Sequence, residues 1–285
     1  MFFKTINKHS VSLPFFYAAI SLIFVFISTI FSLQFLPYIS SHLSIMLLLG
    51  VFGFFISLTA LYSKKRKAAI GGLIGTSFTL GFMISPQIFN LLHYASGKYI
   101  LFWAMTTTIL ITLFMFVIAK IYKQYNKNPP LSGMTLSILA LCLTSSAIFH
   151  VVFPTTKILT LVYCAISIVT FSIMLLHKIY YASDVGHENA DIQLGAGIML
   201  DIVNIFIACI ELCLAGATSK ETSLCDKIIM LFLLVPNLIL TLFQIFDYRS
   251  YQATEINSEN LDKGSQESIC CFGSNSAGVG HVPSP

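Results

Sequence analysis

The sequence predicts an all-α fold, a polytopic bundle of transmembrane helices. The first observation behind this prediction is the composition: of 285 residues, 56% are hydrophobic and 10% are charged, and the mean hydropathy is +0.84. A soluble domain carries about 25% charged residues. The 16 basic and 12 acidic residues are too few to cover a soluble protein of this length. The composition therefore excludes a soluble enzyme, a disordered chain and a disulfide-stapled secreted domain.

The second observation is a series of apolar runs, each long enough to cross about 30 Å of hydrocarbon as a helix. Helices are required in lipid because isolated strands would leave backbone groups unpaired. The eight runs cover residues 14–36, 43–62, 68–92, 99–119, 131–153, 158–176, 194–214 and 228–246. Only the seventh run contains charged residues, Asp201 and Glu211.

The third observation is the distribution of Lys and Arg. With eight spans and a cytoplasmic N-terminus (residues 1–13), 12 basic residues fall in cytoplasmic segments and 4 on the opposite side. The positive-inside rule favours this orientation. Residues 14–246 then form the bundle, and the polar tail 247–285 is predicted to be disordered.

The expected partners are the lipid bilayer and other membrane proteins. Nucleic acid is not expected, since a net charge of +4 is too small to indicate it. Short loops and cysteines that lie mostly in apolar runs favour a bacterial inner membrane over a eukaryotic endomembrane as the location of this integral, multipass protein.

The seventh run has a small and polar face. At 100° per residue, five of its residues share a stripe about 80° wide that we expect to face the bundle. The stripe contains Gly197, Asp201, Asn204, Ala208 and Glu211. The apolar residues on the other side are expected to point outward to lipid: Ile198, Ile202, Val203 and Ile205.

Asp201 is the main candidate functional residue. A carboxylate at bilayer depth costs roughly 2.5–3.5 kcal/mol on insertion scales, so it persists where it is paired, hydrated or protonated. This indicates an ion path, a proton relay or a pH switch, with a structural hydrogen bond between helices as the alternative.

Two further residues are candidates. Glu211 lies nearer the helix end, where the structural alternative is favoured. His177, which closes the sixth run, can titrate in the physiological range and pair with an acid.

Several other features have ordinary structural explanations. The spacing Gly71-x-x-x-Gly75 predicts close helix packing. The basic stretch 64–67 predicts a topology anchor that could also bind acidic lipid headgroups. His150 fits a structural role near the end of its run, and the sequence leaves the role of Cys270 and Cys271 open.

No motif indicates an enzyme. Hydrolysis needs a positioned nucleophile with a base, or metal ligands. The sequence contains no HExxH, no paired intramembrane Asp motif and no Cys/His zinc spacing. The stretch 75–78 fits the loose G-x-S-x pattern of intramembrane serine proteases, but so short a pattern is common by chance. We therefore expect no catalytic residue, no resident metal and no cofactor.

One stretch of the seventh run resembles a known family. Leu200-Asp-Ile-Val-Asn-Ile-Phe206 is similar to the Leu-Asp-[Phe/Ile]-[Ile/Val]-Asn-Leu-Phe signature of the Bax-inhibitor (transmembrane Bax-inhibitor motif) family. Gly81-Phe-Met-Ile-Ser-Pro86 resembles the family's Gly-x-x-Leu-Ser-Pro. The resemblance covers a core of about residues 10–215. It implies seven helices, to which the run 228–246 would add an eighth.

The resemblance also implies a function. Family members are associated with a pH-dependent calcium leak and, in eukaryotes, with suppression of cell death. Their pH sensor is a pair of aspartates. Asp201 matches the second aspartate, and the family spacing leads back to His177, where the first would stand. We therefore expect His177 and Asp201 to form a gating pair that acidification breaks.

Two other functions remain open. The same helix could instead serve a non-conducting membrane protein that modulates stress or cell death through partner contacts. A secondary transporter fits less well, because it would show two similar interrupted half-repeats. For the ion-leak function that the resemblance implies, calcium is the candidate permeant ion and no cofactor is involved.

Overall fold

The computed structural model describes residues 12–39, 43–93, 96–125, 157–182 and 189–217. These residues form six α-helices in a single compact unit. In chain order the helices are α1 (Ser12–Ile39), α2 (Leu43–Leu61), α3 (Arg66–Leu92), α4 (Gly97–Gln124), α5 (Lys157–Tyr181) and α6 (Ala190–Ala217).

Five of these helices (α1, α3, α4, α5 and α6) are long and apolar enough to cross a membrane. The α2 helix contributes a shorter apolar stretch, Leu48–Leu61. The protein is therefore a multipass, helical membrane protein, as predicted. The predicted total of seven helices plus an eighth is not reached by the described residues, which form six. The runs 131–153 and 228–246, His150, and the tail 247–285 with its cysteine pair lie outside them.

The α6 helix is central rather than peripheral. It packs against α1, α4 and α5, and more lightly against α3. The prediction that one face of this helix points outward to lipid is wrong, because Ile198, Val203 and Ile205 are all buried. Neighbours on several sides cover the apolar face as well as the polar one.

Small residues bring α1 and α3 close together. A Cβ added at Gly81 of α3 would strike the carbonyl oxygen of Val25 in α1. At the same contact, the hydroxyl of Ser28 donates to the carbonyl of Phe78 at 2.5 Å, and that of Thr29 donates to the carbonyl of Gly81 at 3.1 Å. Backbone contact of this kind is typical of membrane helix packing.

The α2–α3 contact corrects one predicted packing residue. A Cβ on Gly72 would meet the backbone of Leu61, and one on Gly75 would meet the side chain of Ser57. At Gly71, no described atom lies within 4 Å of the added Cβ. Consecutive residues project about 100° apart on a helix, so the contact falls on Gly72 while Gly71 faces away from α2.

One end of the bundle, which we call the basic end, is tied together by polar contacts. Here the guanidinium of Arg66 at the start of α3 donates to the hydroxyl of Tyr17 in α1 and to the carboxylate of Asp191 in α6, both at 3.0 Å. The side chain of Asn189, just before α6, donates to the backbone carbonyls of Ser63 and Lys64 at 3.2 and 2.9 Å. The first turns of α1, α3 and α6 therefore meet at this end.

Candidate functional site

The candidate site is an ion pair between α5 and α6. The ammonium Nζ of Lys178 lies 2.8 Å from Oδ2 of Asp201 and donates at 3.1 Å to the carbonyl oxygen of Gly197, one helical turn before Asp201. The two charged side chains are buried, with 8% and 0% of their surfaces exposed. In the described part of the chain, Lys178 is the charged group in contact with Asp201, and Oδ1 of Asp201 has no hydrogen-bond partner.

The geometry of this pair follows from two antiparallel helices. Asp201 lies 11 residues after the start of α6, which is about 16 Å along a helix. Lys178 lies three residues before the end of α5 at Tyr181. Its long side chain reaches from near the helix end toward the interior of the bundle, where it meets the carboxylate.

Asp201 thus has a partner other than the predicted one. The prediction paired Asp201 with His177, whereas the cation in contact with the carboxylate is its neighbour Lys178. His177 lies beside Tyr181, with ring centroids 6.0 Å apart. The rotation of α5 points residue 178 at α6, and a step of one residue turns the side chain away by about 100°. A separate contribution of His177 to pH sensing stays a prediction.

The remaining stripe residues are also placed between helices. Asn204 is buried, and its side-chain amide donates to the carbonyl of Leu200 in its own helix at 3.0 Å. Glu211 is partly buried and accepts a contact from the thiol of Cys164 in α5 at 3.8 Å. Ten residues separate Asp201 from Glu211, or about 15 Å along α6.

Polar groups of α5 extend the site toward Glu211. Cys164 contacts Glu211, and Tyr163 and Ser167 of the same helix are also buried. Together with Lys178, Asp201, Asn204 and Glu211, they form what we call the polar seam between α5 and α6. The seam has an ion pair toward the basic end and a carboxyl group toward the opposite end.

Sequence reasoning overlooked Lys178 as a site residue. The available signal was its position: a lysine that closes an apolar run is within reach of an acid in the neighbouring helix. Among the described residues, no three His, Cys, Asp or Glu side chains are grouped so that they could hold a metal ion.

Comparison with known proteins does not assign the chain to a family. No protein-family model matches it, and no curated protein matches it. The likeness to the Bax-inhibitor signature therefore rests on the residues of α6 themselves, Leu200–Phe206, of which Asp201 is the ion-paired member.

Proposed function

We propose that this multipass membrane protein is a pH-sensitive cation leak protein of the Bax-inhibitor type, with calcium as the permeant ion, and that the pair Lys178–Asp201 is its gate. The observation that carries the proposal is the burial of this ion pair between two membrane helices. Ionisable residues in membrane segments are expensive and mark ion pathways, proton relays and similar functions.

Stability alone is a weak reason for such a pair. Replacing a buried ion pair with well-packed apolar residues is often neutral or stabilising, because desolvation offsets the attraction between the charges. Removing one partner's charge, in contrast, leaves the other charge buried and uncompensated. With both groups charged, the pair Lys178–Asp201 holds the two helices together. With one group neutralised, an uncompensated charge is left in the bundle and destabilises it.

Protonation of Asp201 produces the second state. At neutral pH the carboxylate holds the ammonium of Lys178 inside the bundle, and this cation also repels other cations from the polar seam. Acidification neutralises Asp201 and leaves the ammonium with the carbonyl of Gly197. Because Lys178 is three residues from the end of α5, its side chain can turn outward to the headgroup region. Its departure opens the cytoplasmic half of the seam in the predicted orientation.

The rest of the polar seam supplies oxygen ligands for a passing cation. Asn204 stands one turn beyond Asp201 on α6, and Glu211 stands toward the opposite end beside Tyr163 and Cys164. Carboxylate, amide and hydroxyl oxygens suit calcium, which accepts irregular coordination. The role of Glu211 is to attract cations at the far end of the path.

The decisive test is flux through the purified full-length chain. Liposomes that contain the protein and a calcium-sensitive dye are moved from pH 7.5 to pH 6 with calcium outside. We expect the wild type to leak more at the lower pH. Asp201→Asn, which stays neutral, should leak at both pH values with little change between them, and Lys178→Gln should also lose the pH dependence.

Two controls fix the interpretation. Lys120→Gln removes a similar charge from an exposed position of α4 and should keep the wild-type pH response. Protein-free liposomes report the background leak. A wild-type protein that stays silent at both pH values would contradict conduction and favour the non-conducting interaction protein. Leak with unchanged pH dependence in both Asp201→Asn and Lys178→Gln would contradict the proposed gate.

A further inference from the structure

The connection between α2 and α3 carries a concentrated positive charge. The charge comes from four consecutive, exposed residues, which we call the basic loop: Lys64 and Lys65 in the connection, and Arg66 and Lys67 in the first turn of α3. The loop joins two apolar helices by a short turn, so it stands where the bundle meets the surface of the bilayer. A topology signal requires only that positive charge be present here, in any arrangement.

The backbone of the basic loop is held in one conformation. The side-chain amide of Asn189 donates to the carbonyls of Ser63 and Lys64, at 3.2 and 2.9 Å. The amide of Lys65 donates to the hydroxyl of Ser63 at 3.3 Å, and the amide of Ala69 donates to the carbonyl of Lys65 at 3.0 Å. Since the polar groups of the backbone bond inward, the lysine side chains extend outward from an ordered support.

The basic loop contains one ion-paired residue and three lysines. Arg66 is paired with Asp191 and bonds to Tyr17, which ties α3 to α6 and α1. For Lys64, Lys65 and Lys67, in contrast, no described carboxylate lies within ion-pair distance. Three ammonium groups are thus presented together at the membrane surface, without a carboxylate partner in the described part of the chain.

We propose that the basic loop is a binding site for the headgroups of anionic phospholipids in the surrounding bilayer. Lysine near an anionic membrane surface is attracted by the surface potential, and several adjacent lysines add their contributions. The partner is a lipid rather than a free anion, because the lysines project from the end of two membrane helices, at the level of the headgroups. Asn189 contributes by fixing the spacing of the lysines.

Lipid preference can be measured with the full-length chain in phosphatidylcholine vesicles. A trace of spin-labelled phosphatidylserine or spin-labelled phosphatidylcholine is added, and electron paramagnetic resonance gives the fraction of each lipid that the protein immobilises. We expect the wild type to prefer phosphatidylserine. One surface lysine corresponds to about a fivefold change in lipid preference. Because Lys64→Gln/Lys65→Gln removes two lysines, it should lower the preference by at least that factor.

A matched variant distinguishes binding at the basic loop from attraction to the overall positive charge of the protein. Lys120→Gln/Lys123→Gln removes two basic residues near the end of α4, at the same end of the bundle, and should leave most of the preference in place. Equal losses in the two double variants would overturn the proposal, because they would show attraction to net charge alone. Circular dichroism verifies that each variant keeps its helical content.

Two further measurements test the order of the loop and the nature of the ligand. Asn189 has a positive φ of 66°, so Asn189→Gly removes the amide contacts while allowing the same backbone conformation. This variant keeps every charge and should lose about half or more of the preference; an unchanged preference would contradict the ordered site.

If inorganic phosphate displaces spin-labelled phosphatidylserine better than chloride at equal ionic strength, the site binds free anions and the lipid assignment is wrong.

Discussion

At the scale of the residue, Lys178 and Asp201 are buried charges whose separate removal should destabilise the bundle. The single variants Lys178→Met and Asp201→Leu each leave one charge without its partner, and we expect each to lower the free energy of unfolding by about 3 to 5 kcal/mol. The double variant removes both charges and should recover most of that loss.

The measurement is a double-mutant cycle, with unfolding in detergent micelles followed by circular dichroism. A loss in the double variant equal to the sum of the two single losses would show that the residues do not interact. The prediction concerns stability alone, so it holds whether or not the protein conducts ions.

A second residue-scale prediction uses neighbouring glycines of α3. A Cβ on Gly72 would come within 2.6 Å of the Ser57 carbonyl oxygen and would also strike the backbone of Leu61. Gly72→Ala should therefore destabilise the protein by about 1 to 3 kcal/mol. Gly71→Ala meets no described atom within 4 Å and should be neutral or stabilising by up to about 1 kcal/mol. Thermal unfolding in one detergent compares the two, and equal effects would contradict the α2–α3 contact.

Both corrections at this scale are errors of one residue. The sequence identified Asp201 as the buried acid but His177 rather than Lys178 as its neighbour, and Gly71 rather than Gly72 as a contact. A stretch that is apolar on all sides does not reveal its rotation, and each residue of error turns the helix by about 100°. Asp201 was predictable because a charge within an apolar run has to face the interior.

At the scale of the element, the helices begin and end close to the predicted runs. Predicted run 99–119 corresponds to Gly97–Gln124, and 158–176 corresponds to Lys157–Tyr181. These two helices are longer than their runs because backbone hydrogen bonding continues into the polar interface, where apolar residues are no longer required. Which helix is central could not be predicted, since several runs are equally apolar.

The first turns of α6 are tied to other parts of the bundle at the basic end. The first turns of α6 are held by the pair Arg66–Asp191 and by the amide of Asn189 on the carbonyls of Ser63 and Lys64. A Cβ on Gly195 would come within 2.8 Å of the Pro14 carbonyl, so α6 also lies directly against α1. The ion pair Lys178–Asp201 links α5 to α6, and it is the contact that the proposed gate breaks.

We therefore predict that acidification moves α5 while α6 stays in place. In a chain without native cysteines, spin labels are attached to Lys67 of α3 and to either Tyr180 of α5 or Ala190 of α6. Between pH 7.5 and pH 6, the 67–180 distance should increase and the 67–190 distance should stay constant. Movement of residue 190 away from residue 67 would show that α6 is the mobile helix.

At the scale of the whole molecule, basic residues are distributed unequally between the two ends. Seven of those in the described chain stand at the basic end: Lys64, Lys65, Arg66, Lys67, Lys120, Lys123 and Lys178. Lys98 and Lys157 stand at the opposite end. Because α3 and α6 begin at the basic end while α4 and α5 end there, charges that are far apart in the sequence come together.

This asymmetry predicts that the basic end lies in the cytoplasm, since Lys and Arg near membrane helices are retained on that side. In cells that express a chain without native cysteines, Lys98→Cys should react with a membrane-impermeant maleimide added outside, and Lys65→Cys should react only after the membrane is permeabilised. The orientation also decides how the proposed gate is used, because it places Lys178 and Asp201 toward the cytoplasm and Glu211 toward the other side. Labelling of Lys65→Cys in intact cells would reverse the orientation, and the gate would then respond to the pH outside.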